Sequence, residues 1–240
     1  MARHPRFALP GYTQHIIQRG NNRDVIFVDQ EDYGFYRDRL VQACERFGCA
    51  VHAYVFMTNH VHLLMTPRTA TAISQVMQAL GRAYVQYFNY RYRRTGTLWE
   101  GRFRASVIDA DRYLLTCYRY IESNPVRARM VERPDAYGWS SYACNAHHRV
   151  DQLVTPHPLY QNLGNTVDGR CAAYRGLFTD SISPETLTEI RESTNKAWAL
   201  GNDRFRERIE MLLERQSAPR QRGGDRRSAR FRSGGGINRV

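Results

Sequence analysis

Two histidines and a downstream tyrosine are the residues of this chain whose types and spacing could perform chemistry. His60 and His62 lie in the apolar run 54–65. Residues two apart on an extended strand project from the same face, so the two imidazoles would point the same way from one rigid strand. Such a pair can supply neutral nitrogen ligands to a divalent metal. The alternative is a pair of surface or hydrogen-bonded histidines.

Tyr120 is the candidate nucleophile, and Asn124 lies four residues after it. On a helix these positions share a face. A phenol attacks poorly unless a metal or a base assists it. If this face packs over His60 and His62, Asn124 offers an amide oxygen that suits Mg²⁺ or Mn²⁺. Tyr120 would then attack a DNA 5′ phosphate and release a 3′-hydroxyl.

Spacing alone leaves the identity of the nucleophile open, because the chain holds 15 tyrosines. Tyr113 lies two turns before Tyr120 on the same side of the predicted helix, and Tyr118 lies about 160° around it. Pro125 also disfavours helical geometry at Asn124. A tyrosine chosen by spacing is therefore more often a packing residue than a catalytic one.

The charge of the chain indicates a nucleic-acid partner. The net charge is +12, and Lys196 is the only lysine, so arginine supplies nearly all of the positive charge. Arginine matches phosphate oxygens and stacks on bases. A GC-rich genome would explain the ratio of arginine to lysine, but not the net charge. Residues 218–240 hold seven arginines and one aspartate. We expect this tail to be disordered and to tether the protein to nucleic acid.

Cysteine usage and hydropathy indicate the compartment. The five cysteines are an odd number without a Cys-x-x-Cys pair, which argues against a disulfide framework and a zinc knuckle. The chain shows no apolar run of 18 residues and no apolar block at its N-terminus. These features predict a protein of the bacterial cytoplasm, associated with the nucleoid.

Hydrophobic periodicity predicts the elements that position these residues. The predicted order is a strand at 12–18, a helix at 30–47, strands at 51–57 and 60–65, a helix at 71–92, a strand near 104–108 and a helix from about 109 to 125. The order β-α-β-β-α-β plus a helix predicts an α+β fold with an antiparallel sheet and helices on one face. We predict three segments: a catalytic domain at 1–145, a helical extension at 146–217 and the tail at 218–240.

Residues 59–62, Asn-His-Val-His, and 119–128, Arg-Tyr-Ile-Glu-Ser-Asn-Pro-Val-Arg-Ala, together resemble the REP-associated tyrosine transposases. These form part of the single-tyrosine branch of the HUH endonuclease superfamily. Segments 18–23 and 96–103 also resemble strand-to-turn segments of that family. The resemblance covers about residues 8–145, with the spacing between motifs preserved.

The resemblance implies a ferredoxin-like fold and metal-dependent cleavage of single-stranded DNA at imperfect palindromic hairpins near repetitive extragenic sequences. By position, His60 and His62 match the metal-binding histidines of the family, Tyr120 matches the nucleophile, and Asn124 matches the third metal ligand. Other single-tyrosine transposases often carry glutamine at this last position. The resemblance fits either a monomer or a homodimer that exchanges the tyrosine helix.

Arginines interleaved with aromatic residues are typical of channels for single-stranded DNA. The candidate DNA-binding residues are Arg19, Arg23, Arg91, Arg93, Arg94, Arg102 and Arg104. A solvated helix end or an ordinary polar turn would look the same. We interpret His15 and His52 as structural residues and expect Glu122 to face solvent.

Two rival functions share these residues. A replication-initiator or relaxase-type nickase would use the same chemistry, although such proteins commonly add a helicase region or a second tyrosine. A DNA-binding protein could recognise hairpins without cutting them. A zinc deaminase is disfavoured because neither His-x-Glu nor Pro-Cys-x-x-Cys occurs.

Overall fold

The computed structural model describes residues 7–218, and the tail predicted at 218–240 lies almost wholly outside them. Four strands and nine α-helices make up this part of the chain. In order they are β1 (Gln14–Arg19), α1 (Gln30–Phe47), β2 (Cys49–Met57), β3 (His60–Pro67), α2 (Ala72–Arg91), β4 (Arg104–Val107), α3 (Ala110–Glu122), α4 (Asn124–Arg127), α5 (Tyr142–His147), α6 (Pro158–Gln161), α7 (Val167–Gly176), α8 (Pro184–Lys196) and α9 (Asp203–Leu213).

The strands form one antiparallel sheet in the order β2-β3-β1-β4. The predicted order β-α-β-β-α-β is confirmed, and it is the order of a ferredoxin-like fold. In the register between β1 and β3, Ile17 pairs with His62 and Arg19 pairs with His60. This register places the two histidines beside the end of the central strand β1.

Local sequence explains why α1 begins and ends where the periodicity predicted. Asp29 accepts hydrogen bonds from the backbone of Glu31 and Asp32, and the Asp32 side chain accepts one from the Asp29 backbone, which forms a capping box. Gly48 ends the helix with a left-handed backbone, φ 72°. The helix is therefore fixed at both ends before tertiary packing is considered.

The predicted α+β fold with an antiparallel sheet is confirmed. Helices α1 and α2 lie on one face of the sheet and α3 lies on the other, so the prediction of helices on one face holds for α1 and α2 only. Val61 and Leu63 of β3 belong to a core cluster with residues of α1 and α2. Leu64, on the opposite face, packs in a second cluster with residues of α3. The reason is that β3 is apolar in both directions, and each apolar face of a sheet needs a packed layer.

α6, α7 and α8 pack around α3. Tyr118 of α3 shares a core cluster with Tyr160, Tyr174, Ile190 and Leu200. These three helices of the extension predicted at 146–217 thus lie on the same side as α3, whereas Phe205 and Ile209 of α9 pack in a separate cluster with Val107 of β4. Within the described part of the chain, no helix is long and apolar enough to cross a membrane.

Candidate metal and nucleophile site

The fold brings Tyr120 of α3 against the histidines of the sheet. The Tyr120 ring lies edge-on to His62 and to His15, with ring centroids 5.7 Å and 5.6 Å away. His60 and His62 lie 5.0 Å apart by the same measure. Tyr120 is largely buried, with 4% of its surface exposed. The predicted histidine pair and the predicted nucleophile therefore form one cluster.

The two other tyrosines considered as nucleophiles lie elsewhere. The Tyr113 hydroxyl donates a hydrogen bond to Glu189 at 2.8 Å. Tyr118 is fully buried between Tyr160 and Tyr174. Of the three tyrosines on α3, only Tyr120 contacts the histidines.

A chain of hydrogen bonds determines which nitrogen of His62 is free. The Thr194 hydroxyl donates to the carbonyl of Ile190 at 2.9 Å, so its oxygen must accept from Nδ1 of His15, which is 2.9 Å away. Nε2 of His15 then carries no proton and accepts from Nδ1 of His62 at 2.8 Å. The Nε2 lone pair of His62 is left available.

His60 adopts the same tautomer as His62 through a different hydrogen bond. Its Nδ1 lies 2.6 Å from Oδ1 of Asn59, an amide oxygen that can only accept a hydrogen bond. The amide of Asn59 is oriented because its nitrogen donates to the carbonyl of Arg23 at 3.0 Å. Both His60 and His62 therefore carry the proton on Nδ1 and present an unprotonated Nε2, a nitrogen that can bind a divalent metal.

Burial keeps these imidazoles neutral. It lowers the pKa of His15 to about 3, and the charge of Arg127 adds to this effect. Burial and the charge of Arg19 lower the pKa of His60 to about 4. Burial also lowers the pKa of His62 well below its usual value, with contributions from His15, His60, Arg127 and Arg19. Neutral imidazole is the form that binds metal.

Arg127 lies at this site but is not among the candidate residues of the sequence analysis. Its Cζ lies 4.5 Å from the centroid of the Tyr120 ring, and its guanidinium donates to the Tyr120 carbonyl at 2.6 Å and to Oδ1 of Asn124 at 2.8 Å. Nε of Arg127 is buried without a hydrogen-bond partner. The available signal was its spacing, seven residues after Tyr120 and three after Asn124.

The guanidinium of Arg127 is a charge without a counter-ion. No carboxylate pairs with it among residues 7–218. Burial lowers its pKa to about 10, against the opposing effect of Tyr120, so it stays protonated near neutral pH. A partly buried cation without a partner favours binding of an anion.

Asn124 lies at this cluster, but not on the same helix as Tyr120. α3 ends at Glu122, and Asn124 begins α4. Its Oδ1 accepts from Arg127, and its Nδ2 is buried without a partner. The two imidazoles fit a divalent metal, whereas the amide oxygen of Asn124 would have to leave Arg127 to become a ligand.

Acidic side chains do not complete this site. In the described range 7–218, no group of three or more His, Cys, Asp or Glu residues is arranged to hold a metal ion.

The expectation that Glu122 faces solvent is wrong, because its side chain is fully buried and accepts hydrogen bonds from Ser141, Asn145 and Tyr174. Burial raises the pKa of Glu122 to about 7, against the effect of these donors.

The predicted DNA-binding arginines separate into two groups. Arg19, Arg102 and Arg104 line one depression together with Asn195, which hydrogen-bonds Arg104. The other four lie at the end of α2 or near the turn after β1. Arg91 forms ion pairs with Asp29 and Glu31, and Arg94 lies over the Phe88 ring. Arg23 and Arg93 are exposed. The first group adjoins the site, because Arg19 of β1 lies opposite His60 of β3 in the strand register.

Comparison with known proteins finds similarity to transposases. Residues 9–124 match the family model described as Transposase IS200 like. Over 118 residues the chain is 29% identical to a Haemophilus influenzae protein that carries the name REP-associated tyrosine transposase. That match covers 45% of this chain and 66% of the length of the relative.

Two solved structures are also similar. One is the structure of a REP-associated tyrosine transposase bound to a REP hairpin, with a TM-score of 0.50 and 16% identity, covering 65% of this chain and 93% of that one. The other is a crystal structure of a protein from Deinococcus radiodurans named as a transposase, with a TM-score of 0.35 and 22% identity, covering 49% of this chain and 95% of that one. The first likeness supports the fold.

Proposed function

Because residues 9–124 of this chain match the model of the IS200-like transposase family, we propose that the chain is a transposase of this kind and that it cuts and rejoins single-stranded DNA through Tyr120. The proposed substrate is a palindromic hairpin of repetitive extragenic DNA. The observation that carries the proposal is Tyr120 packed against His62, with both His60 and His62 presenting Nε2. The chain spans 66% of the length of its Haemophilus relative, so substrate and partners are proposed for this chain.

In the proposed reaction, the Tyr120 hydroxyl oxygen bonds to the phosphorus of a phosphodiester. The hydroxyl gives up its proton to the solvent, the bond from phosphorus to the 3′ oxygen of the preceding nucleotide breaks, and that oxygen takes up a proton from the solvent. The product is a 5′-phosphotyrosine with a free 3′-hydroxyl. Because the phosphotyrosine is itself a diester, a second 3′-hydroxyl can displace Tyr120 and restore a DNA strand without ATP.

The second requirement of this reaction is a positive charge that neutralises the reacting phosphate. Arg127 supplies a cation beside Tyr120 that lacks a carboxylate partner, and a guanidinium suits phosphate oxygens. A divalent metal, Mg²⁺ or Mn²⁺, held by His60, His62 and Asn124, would polarise the phosphate oxygens. If Arg127 turns from Asn124 to the phosphate, the amide oxygen of Asn124 is released for that role.

The depression formed by Arg19, Arg102 and Arg104 is the proposed path of the DNA backbone away from Tyr120. Arg102 and Arg104 are exposed, and Arg19 is half-buried beside His60. Three cations along one edge of the sheet can neutralise successive phosphates of a strand. This arrangement favours a single strand lying across the end of β1.

A cleavage assay tests the function. The purified protein is incubated with a labelled single-stranded hairpin from its own genomic flank, in Mg²⁺, Mn²⁺ or EDTA. We expect metal-dependent cutting that leaves a 3′-hydroxyl, and rejoining to an added strand with a free 3′-hydroxyl. Tight hairpin binding without cutting in either metal would instead identify a non-cutting DNA-binding protein.

A further inference from the structure

A cavity of about 490 Å³ lies at the end of the sheet where α1 ends, β2 begins and β3 ends. Cys44, in the last turn of α1, and Cys49, the first residue of β2, both line it. Thr66, near the end of β3, lines it as well. Because His60 begins that strand, the cavity lies about 20 Å from the cluster around Tyr120. The cavity is therefore separate from the site described above.

The turn at Gly48 brings the two cysteines together. Gly48 has a left-handed backbone, φ 72°, and its N–H donates to the Cys44 carbonyl at 2.9 Å. In a helix ending of this kind, the residue after the glycine commonly packs against the residue four positions before the glycine. Cys49 accordingly packs against the core cluster that contains Cys44. The two thiols are thus neighbours in the wall of one cavity.

The protonation state of these thiols favours a metal ion over covalent modification. Both cysteines are free. Burial raises the pKa of Cys44, with further contributions from Cys49 and Glu45, and burial raises the pKa of Cys49 to about 12. Neutral thiols react slowly with oxidants and electrophiles, because the thiolate is the nucleophile. A metal ion that binds thiolate tightly can displace the protons.

The number of ligands decides which metal ion fits. Among residues 7–218, no group of three or more His, Cys, Asp or Glu residues is arranged to hold a metal. Glu45, which also lines the cavity, therefore does not complete a set of three with the two thiols. Structural zinc takes four ligands. Cu(I) is a soft monovalent ion that thiolates select, and two of them bind it in a linear arrangement.

Arg68 supplies the positive charge that such a complex needs, since Cu(I) with two thiolates carries one net negative charge. Arg68 lines the cavity, and its Cδ lies 3.2 Å from the position that a Cβ on Gly48 would take. Its guanidinium forms no ion pair with another residue in the described part of the chain. A cation beside the turn stabilises an anionic complex there.

We propose that Cys44 and Cys49 form a two-coordinate Cu(I) site. Two S–H bonds break, two Cu–S bonds form, and both protons pass to the solvent without any change of oxidation state. The bound ion joins the end of α1 to the start of β2. The site is independent of the function proposed for Tyr120.

Anaerobic titration of the full-length protein with Cu(I), in competition with bicinchoninate, tests this site. We expect the wild type to take one Cu(I) ion per chain from the competitor. Cys44→Ser and Cys49→Ser should each weaken binding by more than about 100-fold, since losing a ligand costs more than losing an outer-shell partner. Arg68→Gln should weaken binding about 5-fold, because it removes only a nearby charge.

Cys144→Ser and Arg46→Gln are the matched controls. Cys144 is another half-buried thiol, on α5, and does not line this cavity. Arg46 is an exposed cation at the same end of α1, and its guanidinium lies over the Phe47 ring. Both variants should bind Cu(I) as the wild type does.

Thermal unfolding separates loss of a ligand from loss of structure. Without metal, Cys49→Ser should melt near the wild-type temperature, because Cys49 is only half-buried. Cu(I) should raise the melting temperature of the wild type and leave that of Cys49→Ser unchanged.

Three results would overturn the site: a wild type that takes no Cu(I) from bicinchoninate, wild-type affinity in Cys49→Ser, or binding that is lost in Cys144→Ser instead. Arg68→Gln has an exposed side chain replaced, so it tests the same site even if a cysteine variant unfolds. Unchanged affinity in Arg68→Gln would contradict the proposed charge balance. None of these measurements involves DNA, so their failure leaves the proposed function untouched.

Discussion

Arg127 holds the backbone of Tyr120 and the amide of Asn124 with one guanidinium. Its charge also contributes to the lowered pKa of His62 and of His15, so it acts on the histidine side of the site as well. A cation in this position attracts a phosphate and repels a metal ion. These two effects can be separated by substitution.

We predict that Arg127→Gln lowers the rate of cleavage and strengthens metal binding. Losing a donor that stabilises charge in a transition state costs about 100-fold in rate. Mn²⁺ affinity should rise, because a nearby cation is removed and Asn124 is released. Single-turnover cleavage and Mn²⁺ titration followed by electron paramagnetic resonance measure the two effects.

The control for this prediction is Arg119→Gln. Arg119 lies next to Tyr120 in sequence, but its guanidinium donates to the carbonyl of Asp180. This variant should cleave at nearly the wild-type rate. Wild-type cleavage by Arg127→Gln would show that Arg127 has no part in the reaction.

At the scale of elements, α8 completes the site although it lies some 130 residues after the histidine pair. Thr194 of α8 fixes the proton on His15, and His15 in turn fixes the proton on His62. Outer hydrogen bonds of this kind orient metal-binding histidines and fix their tautomer. The helical extension is therefore expected to contribute to metal binding.

Thr194→Val should weaken Mn²⁺ binding about 10-fold, as the loss of other outer-shell partners does. Without the hydroxyl, His15 can donate to His62 instead, which moves the proton of His62 to Nε2. Nitrogen-15 NMR of the imidazoles detects this change of tautomer without any metal. Thr194→Ser should restore both the tautomer and the affinity.

Thr66→Val is the matched control for this effect. The Thr66 hydroxyl lies 2.8 Å from Nε2 of His52, which is another buried histidine outside the site. The substitution should alter the His52 signals and leave Mn²⁺ affinity unchanged. An unchanged His62 tautomer in Thr194→Val would refute the role of α8.

Elements whose signal is local could be predicted from the sequence, and the contacts between distant elements could not. α1 was predicted at 30–47 because its cap and periodicity lie within the helix itself. The histidine pair followed from strand alternation. The role of His15 was missed, since its partner Thr194 lies 179 residues away. Glu122 was placed in solvent because helix periodicity did not reveal that α5 and α7 cover α3.

At the scale of the whole molecule, Glu122 links α3 to the segments that cover it. Its side chain accepts hydrogen bonds from Ser141, Asn145 and Tyr174. Burial raises its pKa from 4.5 to about 7. The folded state thus holds this proton more tightly than the unfolded chain. The contribution of this proton to the free energy of unfolding is fully present below pH 4.5 and is lost as the pH rises to about 7.

Glu122→Gln should remove this pH dependence. Relative to the variant, the wild type should lose up to about 3 kcal/mol of unfolding free energy between pH 4.5 and pH 7.5, the amount that corresponds to the shift in pKa. Urea unfolding of both proteins at several pH values measures the difference, in which the titration of all other groups cancels. Parallel curves would show that Glu122 ionises normally in the folded protein.

The central claim is that Tyr120 becomes covalently attached to DNA. The most direct test is mass spectrometry of the intact protein and of its peptides after reaction with hairpin DNA and Mn²⁺. We predict a 5′-phosphate adduct on the peptide containing Tyr120, lost in Tyr120→Phe and retained in Tyr118→Phe, whose ring lies among Tyr160 and Tyr174. An adduct on another residue, or cleavage that persists in Tyr120→Phe, would contradict the claim.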